Sequence, residues 1–142
     1  MSREKFEDIK MSRDTSLSFE KYFSAALVVC GISWFWDYVS SLYFPGQTAL
    51  NLTIISALVY MEAALIGAYG FTRRIPFKQI SVGTKVGLGA FMVNTVFRLI
   101  VFEIVEALWG LIIYFTSFVL GGLIGGFIGK KFQSTEGKAN RV

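Results

Sequence analysis

An all-α integral membrane fold with four transmembrane helices follows from three observations. Of the 142 residues 54% are hydrophobic, and the mean hydropathy is +0.54. The charged residues collect in short blocks instead of being spread along the chain. Between the blocks lie four apolar stretches, 22–44, 49–71, 80–102 and 107–129. Each has roughly the 20 residues that a helix needs to cross a hydrocarbon core of ~30 Å. What remains is a head, 1–21, three short connections, and a tail, 130–142. None of these has room for a soluble domain, so any active site is expected within or at the bilayer.

The first helix, "KYFSAALVVCGISWFWDYVSSLYF", can be capped by Ser16 or Ser18 and is stopped by Pro45-Gly46, a strong turn signal. Cys30, Ser33, Asp37 and Ser40 recur at helical spacing and fall on one face. The second helix ends before "TRRIPFK", where Pro76 cannot continue a helix. It carries Glu62 well inside the apolar stretch. The third places Gly87, Ala90, Asn94 and Arg98 on one face, with Lys85 one to two turns from its start.

Between Ala90 and Gly110 there is neither glycine nor proline, yet a helix of some 50 residues cannot fit a bilayer. A reversal is therefore expected near Phe102 to Glu106, with Arg98, Glu103 and Glu106 at the interface and Trp109 as its anchor. The fourth helix ends in "GGLIGGFIGKK". Gly121, Gly125 and Gly129 are four apart and share a face, Gly122 and Gly126 lie beside them, and Ser117 and Gly110 extend the stripe upstream. Lipid offers little hydrophobic drive between helices, so small residues that let backbones touch supply the packing. These seven residues are read as a helix-packing face, against either this chain or another.

Charge sets the orientation. Arg3, Lys5, Lys10, Arg13 and Lys21 precede the first span, Arg73, Arg74 and Lys78 follow the second, and Lys130, Lys131, Lys138 and Arg141 follow the fourth. By the positive-inside rule both termini are cytoplasmic, and the chain is a multi-pass protein of the cell (cytoplasmic) membrane. Five acids in the head cancel its five bases, which argues against a lipid-binding polybasic arm. The formal charge of +4 is thereby a matter of topology. No basic run alternates with aromatics as a nucleic-acid surface would require. The head is also long and mixed in charge, unlike a cleaved signal peptide.

Asp37 and Arg98 lie at similar distances from the cytoplasmic ends of their helices and are expected to pair. Lys85 can stretch toward Glu62 in the same way. A charge at the bilayer centre costs about 2.5–3.5 kcal/mol, so pairing is the economical arrangement and a role in an ion or proton path the sharper one. The single cysteine, Cys30, has no internal disulfide partner and reads as a small buried hydrophobe. The triplet Asn51-Leu52-Thr53 matches a glycosylation acceptor but sits too near the membrane to serve as one.

The chain contains no histidine, so histidine-ligated haem, the usual copper and zinc sites, and Ser-His or Cys-His nucleophile pairs are excluded within it. No catalytic residue, metal ligand or cofactor is expected, although bound lipid is compatible with the composition. These absences, beside a small-residue helix face, predict a non-catalytic accessory subunit of a larger membrane complex of respiratory, oxidative or transport type. Its partners would be other integral membrane subunits and the lipid bilayer. The alternative is a small homo-oligomeric channel or transporter using Glu62 or the Asp37 and Arg98 pair. The orientation is open to a direct test. In a Cys30→Ala background, a cysteine at Gly46 should react with an impermeant thiol reagent on intact cells and one at Thr135 should not, whereas the reverse pattern would invert the topology.

Overall fold

The computed structural model describes residues 19–44, 49–75, 78–101 and 108–139. They form four helices, α1 (Phe19–Tyr43), α2 (Ala49–Thr72), α3 (Gln79–Val101) and α4 (Leu108–Ala139), with no strand among the described residues. Each is long and apolar enough to cross a membrane. α1 begins three residues before the expected start. α4 continues ten residues beyond the expected end at Gly129, through Lys130 and Lys131 to Ala139. The lysines mark where the chain stops being apolar, not where it stops being helical, because nothing from Lys130 to Glu136 breaks a helix. At 1.5 Å per residue α4 is roughly 48 Å long, well beyond a hydrocarbon core. The head to Ser18, the Pro45-Gly46 turn, Pro76, and Glu103 and Glu106 lie outside the described residues.

Side-chain contacts set the topology. Trp36 with Ser56 and Tyr22 with Phe71 make α1 and α2 antiparallel. Cys30 with Ala90 and Trp34 with Asn94 make α1 and α3 parallel. Tyr60 with Phe118 and Tyr69 with Phe132 make α2 and α4 parallel. The chain therefore runs up, down, up, down. α4 packs extensively on both α2 and α3, α1 packs on the same two, and α1 and α4 do not pack on each other among the described residues. In section the bundle is a rhombus with α2 and α3 on its short diagonal. One end carries Arg73, Arg74, Lys78, Lys130 and Lys131, and is called here the basic end.

The glycines of α4 explain why it sits so deep between α2 and α3. Gly121 and Gly125 face α2: an added Cβ would run into the Met61 carbonyl oxygen at Gly121 and the Leu65 carbonyl oxygen at Gly125, and would stand 2.9 Å from the Cβ of Ala64 and of Ala68 respectively. Gly129 meets Thr72 on the same line. One residue round the helix, Gly122 and Gly126 face α3: Gly122 abuts Gly83 and Gly87, and Gly126 approaches the Gln79 carbonyl oxygen, 2.6 Å from an added Cβ. Two adjacent bare lines thus receive two neighbouring helices of the same chain. The small face that α2 presents to α4 is Ala64, Ala68 and Thr72. Gly67 turns instead to Val29 of α1, and Gly70 has nothing within 4 Å of an added Cβ.

The core is accordingly rich in alanine, with Ala26, Ala63, Ala64, Ala68 and Ala90 almost wholly buried around Val29, Tyr60, Val86 and Phe118. At the basic end Gln133, four residues past Gly129, ties α4 to the α2–α3 connection. Gln79 donates to its side-chain oxygen at 2.6 Å, and its own amide donates to the Arg73 carbonyl at 2.9 Å. Lys78 adopts a left-handed φ of 48° as the chain enters α3, and its carbonyl accepts the first bond of that helix from Val82.

Alanine at Gly122 must push α3 away, a change of the overpacking kind that costs ~1–3 kcal/mol. Alanine at Gly31 or Gly70 meets nothing within 4 Å and gains helix propensity of up to about 1 kcal/mol. Thermal unfolding in mild detergent should therefore fall for Gly122→Ala and hold or rise for the other two. Equal behaviour of the three variants would rule out this packing.

Candidate functional site

Each helix brings one polar or charged side chain to a single layer. On α1, Asp37 follows Cys30 and Ser33 along the buried face. On α2, Tyr60 lies one turn after Ser56, with no exposed surface. On α3, Arg98 lies one turn after buried Asn94 and two after Ala90. On α4, Tyr114 lies one turn before Phe118, directly upstream of the glycines. The layer lies toward the end opposite the basic one, Asp37 six residues before the last residue of α1 and Arg98 three before the last of α3.

Asp37 is its hub. The Oδ2 atom lies 3.8 Å from Arg98 Nε, with both side chains about 15% exposed. The Tyr60 hydroxyl donates a short hydrogen bond to Asp37 Oδ1. The Arg98 guanidinium lies over the Tyr114 ring, 5.5 Å from its centroid. Tyr114 meets Tyr60 edge to face at 5.0 Å, and Phe118 stacks on Tyr60 at 5.3 Å. On the basic side of the layer the α1–α3 seam continues with Trp34 Nε1 donating to Asn94 Oδ1 at 3.0 Å, the Trp34 ring stacked on Phe97, and Cys30 Sγ directed at the Ala90 carbonyl.

Taking two charges out of water costs several kcal/mol each, repaid only in part by their attraction. The phenol bond to the carboxylate, and the guanidinium over the ring, worth about 0.5–2 kcal/mol, offset part of the rest. Such a layer can hold a proton on the carboxylate or the phenol, and it can orient water or an ion that reaches it. Fully buried Tyr60 and Phe118 fill the axis beneath it. Among the described residues no group of three or more His, Cys, Asp or Glu is placed to hold a metal ion.

Asp37 and Arg98 are therefore brought together, whereas Glu62 and Lys85 are not. Glu62 is exposed on the outer face of α2, between Leu58 (54% exposed) and Ile66 (56%). Lys85 is exposed on the outer face of α3, its ammonium 5.8 Å from the centre of the Tyr22 ring on α1. The reason is the rhombus: α2 and α3 touch across the short diagonal, so their outer faces point away from each other. Of the helix-packing residues, Gly110 is buried, Ser117 bonds back to the Ile113 carbonyl, and the five downstream glycines face α2 and α3 as described.

Sequence reasoning missed Tyr60, Tyr114 and Trp34. The available signal was a phenol or indole deep in an apolar span, whose polar atom needs a partner there. The chain matches no protein-family model, no curated protein and no solved structure.

If the pair carries net charge balance within the core, Asp37→Asn and Arg98→Gln should each lower stability in detergent by ~3–5 kcal/mol, because each strands the opposite charge. The double variant should recover more than half of the loss. Additive losses in a double-mutant cycle would show that the two groups do not act as a pair.

Proposed function

We propose that the four helices cross a cell membrane with both termini on the cytoplasmic side, and that the chain is a non-catalytic structural subunit of a larger membrane assembly. The observation that carries this reading is Glu62. It is ten residues from the end of α2 at Thr72, which places it about 15 Å along the helix axis from the basic end. That is close to the middle of a ~30 Å core. Lys85, six residues into α3, can reach the interface along its flexible stem, but a glutamate side chain is too short to climb out from the middle. A carboxylate facing lipid at that depth costs roughly 2.5–3.5 kcal/mol and has no ion-pair partner in its own described chain. A donor from a neighbouring membrane chain removes that cost.

The glycines do not carry the lateral contact, because both of their lines are occupied by α2 and α3. The lateral contact falls to the outer helix faces. Reaction chemistry in such an assembly, whether respiratory, oxidative or transport, would lie on other chains, and this one would contribute a rigid unit surrounded by lipid. A second reading is favoured by the charged layer: a small channel or transporter whose path runs through Asp37 and Arg98.

One experiment separates them. Cross-linking in the native membrane followed by mild extraction should give a species well above the 15.9 kDa of one chain. Glu62→Leu should shift it toward the monomer by at least tenfold while the thermal transition is retained. Vesicles containing the protein should show no ion or proton flux. Flux abolished by Asp37→Asn, with the assembly intact, would replace the subunit reading with the transport one.

A further inference from the structure

Once the core is assembled, two opposite charges within the apolar spans of the described residues, Glu62 and Lys85, lie exposed on the outside of the bundle, on opposite sides of it. Measured from the basic end, Glu62 is ten residues into α2 and Lys85 six residues into α3. That is about 15 and 9 Å along their axes, a difference that a lysine side chain can span. The same outer side of α3 carries a second feature. Beyond Lys85, an apolar groove of about 410 Å³ is lined by Phe23 of α1 and by Met92, Val93, Val96, Phe97 and Ile100 of α3. The outer face of α2 carries an apolar ridge of side chains, Ile54, Ile55 and Leu58, that are 43–54% exposed. Counted from the basic end this ridge lies about 21–27 Å along α2, level with Met92 at about 20 Å and Val96 at about 26 Å along α3. One placement therefore brings the opposite charges together and lays apolar side chains on the apolar groove.

We propose that the outer α2 face of one copy of this chain docks on the outer α3 face of a second copy inserted the same way up, pairing Glu62 of the first with Lys85 of the second and seating the isoleucine and leucine ridge in the apolar groove. The occupant is a second copy because a single molecule carries both halves of the contact. The geometry repeats, in antiparallel sense, the α2–α3 packing already present inside the chain. The contact is heterologous: it joins two different faces, so it leaves a free α2 face at one end and a free α3 face at the other. Repetition closes into a ring if the rotation allows and otherwise runs on as a row. This inference rests on the reading of the outer α2 face as an assembly surface and names its partner.

Charge reversal tests it on exposed positions, where folding is not at risk. Chains carrying Glu62→Lys alone or Lys85→Glu alone place like charges across every contact with themselves. Each alone should lose its cross-linked oligomers in the membrane by tenfold or more, and the double variant should regain them. The two single variants expressed together should also regain them, because opposite charges then meet only between unlike chains and the assembly alternates. Oligomers retained by either single variant, or absent from the mixture, overturn the inference.

A disulfide assay separates its failure from that of the subunit reading. In a Cys30→Ala background, cysteines at both Leu58 and Met92, which lie at about 21 and 20 Å from the basic end and meet where the α2 face enters the groove, should give an oxidised ladder of dimers, trimers and larger species, and a cysteine at Leu58 alone should give none. A dimer from the Leu58 cysteine alone means a symmetric contact and refutes this pairing. A cross-link from it to a different, larger chain refutes self-association and keeps the subunit. No cross-link from the Leu58 cysteine to any protein, in the pair or alone, refutes both.

Discussion

The structure depends on how closely the backbone of α4 approaches α2 and α3. Helices in a hydrocarbon phase gain little by hiding apolar side chains from one another, so cohesion comes from dispersion between surfaces that fit and from polar bonds that lipid cannot satisfy. Five glycines on two adjacent lines of α4 remove the side chains that would hold the neighbours off. Alanines at 64 and 68 and glycines at 83 and 87 do the same from the other side. The α4 backbone thereby sinks into the α2–α3 groove, and α1 is left to pack on the far side without touching it. From Gly121 to Gly129, α4 thus gives up side chains on two lines and receives two helices at once.

That depth is also what lets four helices share one charged layer. Tyr60 reaches Asp37 on the neighbouring α1 while its ring meets Tyr114 edge to face and stacks on Phe118, both on α4 within two turns of Gly121. Apolar helices in lipid can slide or rotate against one another at little cost. A layer with one member from each helix opposes this, since a slide of one turn by α1 or α3 would part the Asp37 carboxylate from the Arg98 guanidinium, and one by α2 or α4 would withdraw a tyrosine that contacts them. The glycine lines set how near the helices come, and the charged layer sets their register. Both devices are used up inside the chain, which is why the exposed Glu62 carries the argument about partners.

The helices were legible in the sequence because a membrane span is a matter of length and composition, and a run such as "NLTIISALVYMEAALIGAYGF" has both. The end of α4 was not legible for the same reason: Lys130 and Lys131 end the apolar run, but lysine is a good helix former and the helix continues to Ala139. Spacing of four placed Gly121, Gly125 and Gly129 on one face, but which neighbour that face meets depends on the order of helices round the bundle, and no local pattern encodes it. For the same reason depth alone does not show that Glu62 and Lys85 stay apart, since only the arrangement of the helices turns their outer faces away from each other. Asp37 and Arg98 were accessible through depth and face together, because α1 and α3 run parallel and adjacent. Tyr60 was not legible, because in an apolar span a tyrosine differs from any other aromatic only by its hydroxyl, and its bond to Asp37 depends on the neighbouring helix.

The central claim is that the glycine lines of α4 are filled by this chain's own helices. Solid-state NMR in lipid bilayers can examine it on chains carrying carbon-13 at the methionine carbonyls and glycine α-carbons. The Met61 carbonyl carbon lies 3.0 Å from where a Cβ on Gly121 would stand, so a through-space cross-peak between Met61 and Gly121 is expected. It should keep its intensity per labelled chain when labelled protein is diluted into an excess of unlabelled protein. A cross-peak that fades with dilution would place the glycine face against another molecule, and no cross-peak at all would remove the α2–α4 contact on which the rest of the structure is built.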